Sequence, residues 1–240
     1  MRVAYFDCGR GISGGAAFAA LLDAGADTRA LDAALTALGS DGRRARVEEA
    51  MVGPFRARRV SVDRGDEQLG SGLAHMEALL TRASLPDPAR AMAIGVYRRL
   101  AEAEARVHGS DPDSVRLHEV GSLRSLIGVL GTALALEELG IERIVASPLP
   151  FGRGSVDTAH GRIPVPAPAT LELLRGMPVE PPDREGELVT PTGAAFLAVA
   201  ASGLGAPPAM TIGRIGYGAG GSGRDGILLR VVLGEADPDP

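Results

Sequence analysis

The stretch MRVAYFDCGRGISGGAAFAALLDA, residues 1–24, passes from an apolar run through glycines into a segment rich in alanine and leucine. The apolar run Met1 to Cys8 predicts a short, mostly buried strand, and Gly15 to Ala24 predicts a helix. A strand that leads directly into a helix is typical of proteins in which helices pack on a sheet. This stretch therefore favours an α/β fold.

Outward from this stretch, the chain continues to alternate between helix and strand patterns. A β-hairpin is predicted over Arg43 to Asp63 with its turn at Gly53-Pro54, and later strands over Ile144 to Ser147, Thr211 to Gly216 and Ile227 to Leu233. Further helices are predicted over residues 28–38, from 72 to the prolines at 86 and 88, and over 88–108, 122–139, 167–175 and 190–201. We expect one domain over residues 1–234, with helices packed on a mixed sheet, and a frayed tail over 235–240. A mixed α+β arrangement stays open.

Composition excludes several classes of protein. The 240 residues carry a net charge of −5 with scattered basic residues, which argues against nucleic acid as a partner. The densest basic run, Arg56 to Arg64, is either the solvated face of a strand or a polyanion site. The single cysteine, Cys8, excludes an internal disulfide and suits a reducing compartment. Because neither a signal peptide nor a run that could span a membrane is apparent, we expect a cytoplasmic protein without a membrane partner.

The segment Ser147 to Thr170 holds five prolines and three glycines in 24 residues. Such a run predicts a long ordered loop, because proline removes backbone donors while apolar residues anchor the segment. Its polar residues include Arg153, His160 and Arg162. The arginines can clamp a phosphate or a carboxylate, and Gly161 permits close approach of a ligand to the backbone. The alternative is a loop histidine bonded to a backbone carbonyl.

The glycines of residues 9–14, GRGISG, match a dinucleotide-binding fingerprint that follows a strand and opens a helix. The fingerprint also needs a second strand soon after the helix, whereas this chain continues into another helix. The pattern is still compatible with an anion held by backbone N–H groups at a helix start, with Asp7 beside it to bind a metal or a hydroxyl. A tight turn without a ligand is the alternative.

Two further motifs carry candidate chemistry. His118-Glu119 can supply two metal ligands, or a base and its orienting partner, although the pair on its own favours a helix-capping glutamate beside a surface histidine. Thr190 and Thr192 flank Pro191 at a predicted helix start, where hydroxyl and N–H groups can cap the helix or hold an anion. The usual thiol, zinc-protease, P-loop and serine-hydrolase motifs do not occur in the sequence.

Together these pieces resemble the LarC family, the nickel insertion proteins of lactate racemase cofactor biosynthesis. The resemblance covers almost the whole chain, and the combination of motifs is specific, whereas no single motif is. The segments that carry it are Tyr5 to Cys8, Gly11 to Gly14, Leu100 to Gly109, His118 to Gly121, Ser147 to Thr170, Gly186 to Ala194 and Ile215 to Gly220.

The resemblance implies an enzyme that places nickel into pyridinium-3,5-bisthiocarboxylic acid mononucleotide, forming Ni–C and Ni–S bonds in a CTP-dependent reaction. Nickel accepts imidazole and carboxylate ligands. The expected catalytic residues are Asp7, His118 and Glu119, and the expected metal ligands are His118 and Glu119. The expected substrate- and phosphate-binding residues are Gly11, Ser13, Gly14, Arg153, His160, Thr190 and Thr192.

The chain also departs from the family pattern. Gly15, Arg124 and Gly128 stand where the family usually has acids, and a histidine-rich tract is reduced to His75. The C-terminal domain to which the family's CTP binding belongs is absent from these residues. Either a separate C-terminal chain supplies it, or this is a divergent member that acts as a non-catalytic subunit, binding a phosphorylated small molecule or serving as a scaffold. A homo-oligomer is compatible with either alternative.

Overall fold

The computed structural model describes residues 1–39, 45–62, 68–70, 72–117, 120–158, 160–221 and 226–237. Helices and strands alternate through these ranges. The helices are α1 (Gly14–Asp23), α2 (Arg29–Ala37), α3 (Leu73–Arg82), α4 (Asp87–His108), α5 (Leu123–Glu138), α6 (Pro168–Leu173) and α7 (Pro191–Ala200). The strands are β1 (Arg2–Asp7), β2 (Ala45–Val52), β3 (Phe55–Val62), β4 (Arg143–Ala146), β5 (Leu149–Pro150), β6 (Ser155–Thr158), β7 (Gly161–Pro164), β8 (Val179–Glu180), β9 (Gly203–Leu204), β10 (Thr211–Gly220) and β11 (Ile227–Glu235).

Among the described residues, a mixed seven-stranded sheet runs in the order β2-β3-β10-β11-β1-β4-β9. Strand β1 lies inside it, parallel to β4 and antiparallel to β11. Val3, Ala4 and Phe6 in β1 are fully buried, as expected for a strand with neighbours on both edges. The predicted α/β class with a mixed sheet is therefore confirmed.

Helix α1 packs on β10 and β3, and α5 packs on α1. The close approach of α1 to β10 depends on glycine at alternate positions of the strand, which share one face of the sheet. A side chain at Gly216 would begin 2.0 Å from the carbonyl oxygen of Ala20, and one at Gly218 would begin 1.9 Å from that of Ala16. The glycines of β10 therefore form the groove in which α1 lies.

The predicted loop Ser147 to Thr170 is more regular in the structure. Strand β5 lies within it, β6 and β7 form a two-stranded hairpin with His160 at its turn, and Thr170 lies inside α6. Prolines fit here because a two-stranded hairpin has outer edges that need no ladder donors, and because Pro168 stands at the first position of α6.

The ends of the last strands also differ from prediction. Strand β10 continues to Gly220, since it pairs with β11 along its length. Glu235 was predicted to be frayed, but it lies opposite Arg2 in the sheet. The backbone N–H of Ala236 donates to the carbonyl oxygen of Met1 at 3.0 Å. The sheet therefore extends beyond residue 234, and residues 238–240 lie outside the described ranges.

Candidate functional site

Three helices begin around one cavity, which we call the helix-start cavity. Its volume is about 530 Å³. Its wall includes Ser13 before α1, Ser122 before α5 and Thr190 before α7. Each helix start presents the positive end of its dipole, so three partial positive charges converge there.

A short backbone pairing brings the starts of α1 and α7 together. Ile12 and Val189 form an isolated parallel bridge. The N–H of Ile12 donates to the carbonyl of Leu188 at 2.8 Å, and the N–H of Thr190 donates to the carbonyl of Ile12 at 3.1 Å. Because these bonds precede both helices, they fix the two helix starts side by side.

The residues at the helix starts cap the helices through their side chains. The hydroxyls of the capping residues accept from backbone N–H groups three positions later: Ser13 from Ala16 at 3.1 Å, Ser122 from Ser125 at 3.3 Å and Thr190 from Gly193 at 3.3 Å. The Thr192 hydroxyl accepts from the N–H of Gly14 at 3.4 Å and lies 3.2 Å from the Thr190 hydroxyl. The predicted residues Ser13, Gly14, Thr190 and Thr192 therefore share one wall.

Among the residues described by the structure, the charged side chains on the wall are Arg59 from β3, Arg124 from the first turn of α5, and Glu187. The Nε atom of Arg59 is buried and has no hydrogen-bond partner among the described residues. A buried donor without a partner is costly, and an anion in the cavity would satisfy it. Among the described residues the wall therefore carries two arginines, one glutamate and three helix starts, a combination that favours a negatively charged ligand.

Gly15, Arg124 and Gly128, the positions at which the resemblance implies acids, all line this cavity. A side chain at Gly15 would enter open space. One at Gly128 would begin 2.8 Å from the carbonyl carbon of Gly14. These three positions are far apart in the sequence but lie on the same wall. None of them places a carboxylate on it.

A second cavity of about 190 Å³, the histidine cavity, shares a wall with the first. Val120, Glu187 and Pro191 line both. The histidine cavity is also lined by His108 from the end of α4 and His160 from the β6–β7 turn. Their ring centroids are 5.1 Å apart and the ring planes are inclined at 36°. The two cavities together form the candidate site.

Other residues predicted for the site lie elsewhere. Asp7 pairs with Arg230 on the neighbouring strand and accepts from the N–H of Gly9, so its carboxylate serves a structural ion pair. Gly11 packs against the carbonyl of Leu188, where a side chain would begin 2.2 Å from the oxygen. Neither Asp7 nor Gly11 lines either cavity.

Arg153 is exposed and lines neither cavity, and its backbone carbonyl accepts from the N–H of Gly186 at 2.8 Å. His118 and Glu119, the predicted metal ligands, lie outside the described residues. Among the residues that are described, no three His, Cys, Asp or Glu side chains form a group that could hold a metal ion.

Sequence reasoning missed His108, Arg59 and Arg116. His108 carried a weak signal, since it ends a predicted helix inside a segment that resembles the family. Arg59 belongs to the basic run Arg56 to Arg64, for which a solvated strand face and a polyanion site were the two interpretations. Arg56 and Arg58 pair with Asp23, whereas Arg59 lines the helix-start cavity.

The single cysteine is not part of the site. Cys8 is fully buried, and its backbone N–H donates to the Ser147 hydroxyl at 2.9 Å. Burial first, and then the charge of Asp7, raises the pKa of the thiol far above its ordinary value, so the reactive thiolate is suppressed. In the part of the chain described by the structure, no helix combines the length and apolar character needed to cross a bilayer.

Comparison with known proteins shows the family of this chain. The model of the nickel insertion protein family matches residues 4–239. A protein of Geobacter metallireducens, provisionally named a nickel insertion protein, is 43% identical over 241 residues, which cover 99% of this chain and 62% of the relative. The pyridinium-3,5-bisthiocarboxylic acid mononucleotide nickel insertion protein of Desulfitobacterium hafniense is 38% identical over 241 residues, covering 100% of this chain and 60% of the relative.

This chain therefore spans about three fifths of the length of these relatives. No solved structure gives a significant match to it. The family model matches nearly every residue, and the relatives align from end to end of the chain. The chain belongs to the nickel insertion protein family.

Proposed function

We propose that this chain binds a pyridinium mononucleotide, with the phosphate in the helix-start cavity, and takes part in inserting nickel into it. The observation that carries the proposal is the convergence of three helix starts with Arg59 and Arg124 on one cavity. Helix starts hold phosphate through backbone N–H groups and the dipole, and arginine adds charge-assisted hydrogen bonds. A volume of about 530 Å³ is within the range of small-molecule sites.

The shared wall supports a ligand that extends into both cavities. A mononucleotide has a phosphate at one end and a pyridinium ring at the other. With the phosphate at the helix starts, the ring would extend past Glu187 and Pro191 towards His108 and His160. Arg116, which lines the histidine cavity, offers a cation to a thiocarboxylate of the substrate. The carboxylate of Glu187 faces the positive pyridinium ring in the same arrangement.

We propose that the complete reaction is nickel insertion. Nickel is one of its substrates, and CTP is the nucleotide that the family resemblance implies. In this arrangement the chain binds the mononucleotide, and the C-terminal domain of the family binds CTP. That domain, supplied as a separate chain, is therefore a proposed partner.

Binding of nicotinamide mononucleotide, a pyridinium ribose phosphate, tests the phosphate assignment by calorimetry. Nicotinamide riboside lacks only the phosphate and should bind at least about tenfold more weakly, since charged hydrogen bonds contribute roughly 1.5–3 kcal/mol. The variant Arg59→Gln should bind nicotinamide mononucleotide more weakly than wild type by a similar factor. Arg29→Gln is the matched control, because the Arg29 side chain is 86% exposed and pairs with Asp27 away from the cavity. Equal affinities for the two ligands, or for Arg59→Gln and wild type, would reject the phosphate assignment.

A second candidate function is that of a non-catalytic subunit that binds the mononucleotide. It is favoured by Gly15, Arg124 and Gly128, which leave the helix-start cavity without the acids that the family usually has there. The two candidates differ when the chain is mixed with nickel, CTP, the C-terminal domain and the bisthiocarboxylic acid mononucleotide. Mass spectrometry would detect a nickel-containing product for the insertase. Mononucleotide binding without product would support the non-catalytic subunit.

A further inference from the structure

His108 and His160 face each other at the opening of the histidine cavity. His108 is the last residue of α4, and His160 lies in the turn between β6 and β7. Both side chains are exposed, with their ring centroids 5.1 Å apart. An ion in solvent can therefore reach both imidazoles.

The separation of the rings suits a shared metal ion. With a metal–nitrogen distance of about 2.1 Å, a ligating imidazole has its centroid about 3.2 Å from the ion. Two centroids 5.1 Å apart then correspond to an angle of about 105° at the ion. This angle lies between the cis angle of about 90° in square or octahedral complexes and the tetrahedral angle.

Glu104 supports one of the imidazoles in the manner of an outer-shell carboxylate. It precedes His108 by one helical turn, and its Oε2 lies 3.5 Å from Nε2 of His108. Metal-ligating histidines commonly direct one ring nitrogen to a carboxylate, which orients the ring and leaves the lone pair on the other nitrogen. Glu104 therefore favours the tautomer of His108 in which Nδ1 binds the metal.

We propose that His108 and His160 form a nickel-loading pair that holds Ni²⁺ beside the mononucleotide before transfer. This inference rests on the proposed function and assigns both residues to the metal, whereas sequence reasoning placed His160 with the substrate and did not select His108. The pair supplies two ligands, consistent with the absence of any group of three ligating side chains among the described residues.

A site with only two protein ligands suits transfer rather than storage. The substrate carries two thiocarboxylate groups, and soft sulfur ligands bind nickel well. In the proposed step the two sulfur atoms displace water and then an imidazole from Ni²⁺. Bonds between nickel and sulfur form as bonds to oxygen and nitrogen break, and no electron is transferred. A complete protein coordination sphere would oppose this exchange.

Titration of the full chain with NiCl₂, followed by calorimetry, tests the pair directly. We expect one Ni²⁺ per wild-type chain and at least tenfold weaker binding in His108→Ala and in His160→Ala. The matched control is His75→Ala, because His75 is exposed on α3 and lines neither cavity. Thermal unfolding of each variant without nickel establishes that it is folded, and His108→Gln provides a milder replacement if His108→Ala unfolds.

The inference is overturned if wild type binds no nickel, or if both histidine variants bind it as tightly as wild type. It is also overturned if His118→Ala abolishes binding while His108→Ala and His160→Ala retain it. Nicotinamide mononucleotide binding, measured on the same proteins, separates this outcome from failure of the proposed function. If the histidine variants bind nickel as tightly as wild type, and mononucleotide binding still depends on the phosphate, only the assignment of the nickel-loading pair is rejected.

Discussion

A side chain at Gly128 would begin 2.8 Å from the carbonyl carbon of Gly14, so α5 and α1 touch backbone to backbone at the wall of the helix-start cavity. The Thr132 hydroxyl, one turn after Gly128, donates to the Gly128 carbonyl at 2.7 Å and to the Gly14 carbonyl at 3.4 Å. This crossing sets the distance between two of the three helix starts.

Gly128→Ala should therefore destabilise the protein by about 1–3 kcal/mol, because the new methyl group meets backbone atoms that cannot rotate away. Gly15→Ala is the control, since its methyl group would enter open space. That variant should be unchanged or up to about 1 kcal/mol more stable, because alanine favours the helix. Urea unfolding followed by circular dichroism measures both, and equal stability of Gly128→Ala and wild type would contradict the close crossing.

Gly15→Asp should separate stability from ligand binding. A carboxylate in the first turn of α1 interacts favourably with the helix dipole and should add about 0.3–1 kcal/mol. The same charge faces the helix-start cavity and should weaken binding of nicotinamide mononucleotide by about tenfold through repulsion of the phosphate. Gly15→Asn has nearly the same size without the charge. Equal mononucleotide affinity in the Asp and Asn variants would show that the phosphate lies elsewhere.

Asp23 joins α1 to the sheet. Its carboxylate is 6% exposed, accepts from the N–H of Tyr217 at 3.0 Å and pairs with Arg56 at 2.9 Å. Asp23→Ala should lower the free energy of unfolding by about 2 kcal/mol, because the backbone donor loses its partner. Asp23→Asn retains an acceptor and should lose less. Added salt should reduce the difference in free energy of unfolding between wild type and Asp23→Asn, since Arg56 is half exposed and its charge is screened. A difference that does not depend on salt would argue against an ionic contribution.

Cys8 should resist thiol reagents in the folded protein. Burial raises the pKa of its thiol, so at pH 8 the folded chain keeps the thiol protonated as well as inaccessible. We expect no reaction with a chromogenic disulfide over minutes in buffer, and one equivalent of product in guanidinium chloride. Since Cys8 is the only cysteine of the sequence, the signal is unambiguous. Rapid labelling of the native protein would show that β1 is less protected than the structure indicates.

Local features of the sequence predicted most helices and strands. The helix ends at Gly109 and Gly140 were predicted correctly, and both glycines adopt positive φ, a conformation that glycine adopts without a steric penalty. The hairpin turn at Gly53-Pro54 was also correct. The short strands within Ser147 to Thr170 were not predicted, because β5 pairs with the distant β8 and because prolines mask the local β6–β7 hairpin.

The candidate site was predicted less completely. Ser13 and Thr190 were recognisable because capping residues and glycines mark helix starts from neighbouring residues alone. Asp7 was placed at the site because it ends β1 beside the glycine turn, but its carboxylate pairs with Arg230 on β11, a strand adjacent in the sheet and distant in the sequence. His108 was not selected, because nothing near it in the sequence indicates that His160 lies beside it.

The sequence by itself determined the succession of strands and helices, the residues that cap them and the family to which the chain belongs, since these depend on local periodicity and on motif order. Only the tertiary structure decided which helix starts meet. The bridge between Ile12 and Val189 aligns α1 with α7, and the glycines at 14 and 128 let α5 approach α1. Such contacts join residues far apart in the chain, and they form because backbone hydrogen bonds and close packing must be satisfied simultaneously across the core.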